Sequence, residues 1–319
     1  MIESDKKNFN DSHLYDEEID LKELFNVVWE GKTLIILITS IVAMFSVVYA
    51  LMLTNIYHSE SILVARDSQD AGMLSQYEGL ASMAGVGLPN SGDEGVVEIM
   101  EIIQSRKFVK HLMTFENVLP SIMAAKNYDA ASQELYFNPE IYDGKTKTWI
   151  REPNNNKGIK PSYLETHKAY SGILSISHDK QTGLISMMTE HISPIFAKDL
   201  LALIIKEANT LNREKDIDES NKALNYLKIE LSQTPLIEIK ESINQLIQTQ
   251  LETQMMAKIS EDYSLVIIEP PFIPEEKSGP NRGMISVVGT MIGGILSMLI
   301  VLIRHYYVGK ETINKHTIV

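Results

Sequence analysis

The chain has 319 residues, with 29 Lys and Arg against 42 Asp and Glu, and it contains no cysteine. A net charge of −13 repels phosphate backbones, which argues against a nucleic acid partner. Without cysteine the chain forms no disulfide and offers neither a thiolate nucleophile nor a Cys-type zinc site.

Residues 1–18 form a polar tail. From Glu18 to Trp29 (EIDLKELFNVVW), Leu21, Leu24, Phe25 and Val28 fall three and four apart with Asp20 placed to cap them. This spacing predicts a short amphipathic helix whose apolar face and Trp29 lie at a membrane surface. Behind it, Leu34 to Leu53 is an unbroken run without Asp, Glu, Lys, Arg or His, and Met284 to Ile303 is a second run of the same length. At about 1.5 Å per residue, each crosses roughly the 30 Å hydrocarbon core of a bilayer. A cleaved signal peptide is the alternative for the first run, but the run is too long and the tail before it is acidic rather than basic. A buried core helix is the alternative for the second, and its length and abrupt stop at Arg304 argue against that. Lys22 and Lys32 before the first span, with Arg304, Lys310 and Lys315 after the second, predict cytoplasmic tails; Arg282, on the far side, weakens that signal.

The expected division is a cytoplasmic tail (1–33), a first span (34–53), an external domain (54–283), a second span (284–303) and a cytoplasmic tail (304–319). The first tail is acidic on balance and the second basic, so most of the negative charge falls on the insert between the spans. That insert is long enough for one sizeable domain with its own core.

Within the insert, Tyr57 to Arg66 reads as a strand with imperfect alternation. The following loop, GLASMAGVGLPNSGDEG, holds Gly79, Gly85, Gly87, Gly92 and Gly95. It fails as a phosphate cradle: no Lys-Ser or Lys-Thr follows its last glycine, and Asn90 stands where a dinucleotide fingerprint needs glycine. A partner-facing loop is the reading. Glu94 to Met113 is expected as one helix with Val97, Met100, Ile103 and Phe108 on its apolar side. Residues 118–168 show only short helical patches. Ile173–Ser177 and Leu184–Met188 flank a turn-forming stretch, Asp179 to Gly183, and predict a hairpin. His178 and His191 near its ends are two of eight scattered histidines without ligand spacing, so they read as solvated or structural residues rather than metal ligands.

Ser193 and Pro194 mark the N-cap and first position of a long helix. Ala197, Leu201, Ile204, Ala208 and Leu211 form a seam along it, residues 212–222 are polar all round, and Leu224, Leu227 and Leu231 restore a seam before Pro235 breaks the helix. Ser193 to about Gln233 would measure about 60 Å. Leu236 to Ile259 is a second helix, carrying Ile239, Ile243, Leu246, Ile247, Leu251 and Met255, that runs back toward the membrane. Tyr263 to Glu269 is an apolar strand completing the sheet begun at 57, 173 and 184. The prolines of residues 270–282 then hold the chain semi-extended into the second span. The fold expected is α+β: two transmembrane helices flank a large soluble domain with a small membrane-proximal mixed sheet and a long projecting helical hairpin.

Taken in order, EIDLKELFNVVW, the strand after the first span, GLASMAG followed by EIMEIIQSRKFVKHLM, SPIFAKDLLALIIKEANTLN, the helical pair and IIEPPFIPEEKSGPNRG resemble the Wzz-type chain-length determinants, the polysaccharide co-polymerases. The resemblance runs over nearly the whole chain apart from 118–168. It implies an inner-membrane protein whose periplasmic domain assembles into a ring or bell of identical subunits. It further implies work with a membrane polymerase on a lipid-linked glycan to set the length of O-antigen or a related surface polysaccharide. The family's proline motif maps onto Pro271, Pro274 and Pro280, and its small-residue second span onto Gly289, Gly293 and Gly294. Members that govern capsule export often continue into a cytoplasmic tyrosine kinase; this sequence, which reaches Val319 shortly after the second span, looks like the kinase-free branch.

An enzyme would need a nucleophile elbow, a nucleotide loop or metal spacing, and none is found. Adjacent acids such as Glu275 and Glu276 read as solvated charge rather than a positioned acid/base pair. No catalytic residue, cofactor or metal is expected. A transmembrane sensor fits two spans but lacks a signalling domain in its C-terminal tail. A scaffold uses every feature: Leu224, Leu227 and Leu231 are candidates for packing between copies, and Gly289 and Gly293 form a GxxxG pair. Either the glycines are tolerated as in any membrane helix, or they permit close approach to the first span, a neighbouring subunit or the polymerase. The second functional reading is an export adaptor acting with a separate tyrosine kinase and an outer-membrane channel.

Overall fold

The structure, a computed structural model, describes residues 21–65, 91–153, 158–260 and 262–316. Asp20 and most of the glycine-rich loop lie outside the described residues. The chain divides into two compact units, one formed by residues 1–53 and 281–319 and the other by residues 54–280.

Among the described residues, the first unit consists of α1 (Leu21–Glu30), α2 (Lys32–Met52) and a C-terminal helix (Arg282–His316). Gly31 separates α1 from α2. The C-terminal helix packs along α2 and also touches α1. The most apolar 18-residue stretches of Lys32–Met52 and Arg282–His305 have mean hydropathies of 2.6 and 2.3, and only 6% and 17% of those stretches are buried. A helix this apolar in the core of a soluble protein would be mostly covered. These two present their side chains outward, as helices solvated by lipid do.

The second unit is built on a four-stranded sheet in the order β6 (Leu174–His178), β7 (Leu184–His191), β1 (Tyr57–Ala65), β8 (Leu265–Glu269). All three pairings are antiparallel, which corrects the mixed sheet expected from sequence. The cause lies in α7 (Pro194–Gln233) and α8 (Ile237–Ile259). α7 starts beside Thr189, whose hydroxyl donates to Ala197 O, and passes Leu265 at Asn209. Leu265 pairs with Ala65, the last residue of β1. Both legs of the helical hairpin therefore meet the sheet at the end where β1 finishes, and β8 must run back beside β1 in the opposite sense.

Ser193 caps α7 by accepting from Phe196 N at 3.3 Å, and Pro194 fills the first turn. The first half of α7 packs Leu200, Leu201, Ile204, Ile205 and Ala208 into one core with Leu63, Ile185, Met187 and Leu265 of the sheet, and Ala197 is buried as well. α3 (Ser91–Gln104) and α4 (Arg106–Leu112) complete this core with Val96, Ile103, Phe108 and Leu112. The single helix expected over 94–113 is thus two helices. Ser105 is extended (φ −74°, ψ 152°) and its hydroxyl accepts from Phe108 N, a local bond that competes with helix continuation.

Residues 118–168, unreadable in sequence, hold α5 (Val118–Ala124), the start of α6 (Tyr163–Ile173) and two small hairpins, β2–β3 (Ala125–Asp129, Glu134–Phe137) and β4–β5 (Tyr142–Asp143, Thr148–Trp149). Asp129 accepts from Ala131 N and Ser132 Oγ, and Asp143 from Thr146 Oγ1 and Lys145 N. These bonds close the turns and hold both carboxyls below the usual range. Tyr142 joins the hairpins as an aromatic cluster, its ring centroid 5.2 Å from Phe137 and 4.9 Å from Trp149.

Candidate functional site

Numbering the C-terminal helix (Arg282–His316) α9, the first candidate region is its seam with α2. A Cβ on Gly289 would collide with Oγ and Cβ of Ser46, and one on Gly293 would sit 2.9 Å from Cβ and Cγ1 of Val42. Nothing lies within 4 Å of the corresponding point on Gly294. Of the partners left open by the sequence, the first span of the same chain is the one that fills the space beside Gly289 and Gly293. Gly294 points elsewhere.

The close approach lets small hydroxyls meet across the seam. Ser46 Oγ donates to Ile285 O at 3.1 Å, and Thr39 Oγ1 lies 3.2 Å from Ser297 Oγ, which donates to Gly294 O at 2.8 Å. In hydrocarbon such bonds satisfy groups that no water reaches, each adding on the order of 0.6 to 2 kcal/mol. At the other end, a Cβ on Gly31 would strike Val301. The seam is therefore tight near Gly31, Val42 and Ser46.

The proline segment is the second region, and it belongs to the other unit. Pro274 is buried, while Pro271 and Pro280 are half-buried. Proline has no N–H, so this segment cannot donate ladder bonds at Pro270 or Pro271. Side chains supply donors instead. Ser61 Oγ donates to Glu269 O at 2.6 Å and Ser59 Oγ to Phe272 O at 2.7 Å, both serines being fully buried. Farther along, Ile56 N donates to Gly279 O and Ser278 N donates to Ile56 O. The segment is thus fastened along β1 and to the residue just before it. Serines at Ser59 and Ser61, on the face of β1 that also buries Leu63 and Ala65, explain the imperfect alternation read in this strand.

A third group was missed in the sequence. Asn209 interrupts the apolar seam of α7 and is buried; its Oδ1 accepts from Ser264 N and Leu265 N, both at 2.8 Å, and its Nδ2 donates to Leu265 O at 2.9 Å. Asn212 Nδ2 reaches Ser264 Oγ, and Tyr263 OH donates to Asp216 at 2.7 Å. The polar residue between Ala208 and Leu211 was the available signal. His191, read as solvated or structural, is the latter. Its Nδ1 accepts from Ser193 N and its Nε2 lies 3.0 Å from Ser121 O, which ties β7 to α5 and to the cap of α7. Burial pushes its pKa below the ordinary value.

Leu224 is only 5% exposed, and Leu227 and Leu231 are less covered, on the stretch where α7 and α8 pack together. α8 contributes the buried Ile243 and Ala257 to the same pair. What remains open on the hairpin is a different set, Tyr226 and Ile229 on α7 and Ile237, Ile239, Leu246, Leu251, Met255, Met256 and Ile259 on α8.

Comparison with known protein families reaches the N-terminal third of the chain. Residues 17–114 match the family model described as Wzz, chain length determinant protein, which bears out the resemblance over α1, α2, β1, α3 and α4. The tyrosine-protein kinase etk of Escherichia coli strain K12 is 33% identical over 91 residues, 28% of this chain and 11% of the kinase. The kinase of the same name from E. coli O157:H7 matches with the same figures. The chain thus spans about a tenth of the length of these curated relatives. Among solved structures, a full-length bacterial polysaccharide co-polymerase is 14% identical, with a TM-score of 0.35 over 91% of this chain and 99% of that one. A fragment of WzzB, a polysaccharide co-polymerase from Salmonella Typhimurium, is 12% identical, with a TM-score of 0.28 over 70% of this chain and 100% of that one.

Proposed function

From the match of residues 17–114 to the Wzz chain length determinants, we propose that this chain is a non-catalytic membrane scaffold that sets the length of a surface polysaccharide. That match is the observation that carries the reading. In this reading α2 and α9 cross the inner membrane, residues 54–283 stand in the periplasm, and both tails are cytoplasmic. Identical copies associate as a ring or bell beside a polymerase that extends a lipid-linked glycan of the O-antigen type.

The role is geometric. The α2–α9 seam supports it by packing glycine against side chain without an ionisable group at the contact. The serine-fastened proline segment supports it by tying the last part of the insert to β1. Deletion of the gene followed by gel display of surface glycan tests the function, with loss of the modal ladder as the expected result. An unchanged ladder would sink it. Topology is tested by alkaline phosphatase fusions: one after Gly158 is expected to be active and one after Lys310 inactive.

The 33% match to a tyrosine-protein kinase favours a second reading, an adaptor for capsule or exopolysaccharide export acting with a separate kinase and an outer-membrane channel. In that case deletion abolishes export rather than altering the length distribution.

A further inference from the structure

We infer that the Phe25–Trp29 face of α1 is a lipid-contact site, seated in the headgroup layer of the bilayer that α2 crosses. The two rings stack with centroids 6.1 Å apart and planes 18° apart, and they are 66% and 62% exposed. Lys32 Nζ stands 4.9 Å from the centre of the Trp29 ring. The other side of α1 is committed to the protein: Val27 is buried, α1 packs against α9 and α2, and the space beside Gly31 is filled by Val301. The helix therefore has one face held by protein and one that presents two aromatic rings, beside a cation at the first residue of α2.

Position selects the occupant. Trp29 lies a little more than one helical turn before Leu34, where the uncharged run begins. That interval spans about 8 Å as helix, and each headgroup layer is about 5–8 Å deep beyond the hydrocarbon. A bilayer that accepts α2 thus brings the ring into its interfacial layer. Indole suits that layer because its body is apolar and its N–H is polar. Lys32 interacts with the ring face through its charge and keeps its remaining donors for phosphate oxygens. Two rings make too small a patch for a stable protein interface, which needs about 1,000 Å². Because Gly31, which joins this helix to α2, lies against Val301 of α9, a seat in the headgroup layer would fix the depth of both spans together.

The chain has two tryptophans, so Trp149→Phe leaves Trp29 as the sole reporter. The Trp149 ring packs on Tyr142, a contact that phenylalanine preserves; Trp149→Tyr serves if that variant fails to reconstitute. The full chain is placed in phosphatidylcholine vesicles with bromine near the headgroup or near the acyl-chain end. Greater quenching by the shallow bromines than by the deep ones, with little quenching by aqueous iodide, is the expected result. Strong iodide quenching without bromine quenching would put the helix in water, and no response to any quencher would put the ring against protein; either overturns the site. No glycan enters the readout, so the result is independent of the chain-length reading.

Discussion

The membrane-type unit and the sheet-and-hairpin unit reach close packing by opposite means. Between α2 and α9 the contact depends on atoms that are missing: Gly289 and Gly293 leave room for Ser46 and Val42. In the other unit it depends on atoms that are present, with large side chains such as Phe108, Leu201, Ile204 and Tyr170 filling the core. The solvent explains the difference. Water drives apolar surface together at about 25 cal/mol per Å², whereas lipid is as apolar as leucine and rewards only close fit and satisfied hydroxyls.

The largest expected effect breaks the first kind of packing. Gly289→Leu or Gly293→Leu puts a side chain where Ser46 or Val42 stands, while the span remains apolar enough to insert. A shifted or lost glycan length distribution at normal protein abundance is expected. Unchanged chain length in both variants, together with loss of all activity from one Glu, Asp or His substitution between residues 54 and 283, would replace the scaffold with an undetected catalytic site. Gly294→Leu sharpens the contrast, since nothing among the described residues occupies its space. Normal α2–α9 pairing by cysteine cross-linking is expected, so a length phenotype in that variant would report a partner outside the chain.

In the water-solvated unit, Asn209→Ala is expected to cost about 3 kcal/mol, because the buried N–H groups of Ser264 and Leu265 lose their acceptor. A denaturation midpoint of the full chain in detergent within error of the parent would refute the importance of that contact. His191 gives an intermediate effect that depends on pH. Its folded pKa is depressed below 6.5, so the unfolded chain binds the proton more readily and stability falls as pH drops below about 6.5 toward the folded value. His191→Gln should flatten that slope between pH 7.5 and 5; an unaltered slope would assign it to other groups. The smallest effects belong to Ser59→Ala and Ser61→Ala, about 1 kcal/mol each, and equal midpoints for both variants and the parent would show the proline segment to be held by other contacts.

The sequence made plain what depends on runs and punctuation. Long uncharged stretches marked the two long apolar helices α2 and α9, Ser193–Pro194 marked the start of α7, and Pro235 its end. It did not make plain what depends on tertiary partners. Leu224 looked available until α8 was packed beside α7. A seam of apolar residues does not say which surface will cover it. Ser105 broke a helix that periodicity alone would have continued, and residues 125–149 fold through turn bonds from Asp129 and Asp143 rather than through any apolar period. The antiparallel sense of β8 followed from where both legs of the helical hairpin meet the sheet, information that no local window contains. For the glycines the spacing was legible and the neighbour was not.

Asn209 has one more effect. β8 is an edge of the sheet, and an open edge invites another chain to add its own strand. Here Leu265 N and O are both occupied by the Asn209 amide, and Pro270 and Pro271 follow immediately with no N–H to give. The strand is closed at its start by a side chain and at its finish by the imino ring. Molecules of this chain gathered at high density in one membrane would therefore touch through side chains and be spared fusion into a continuous, irreversible ribbon along that edge.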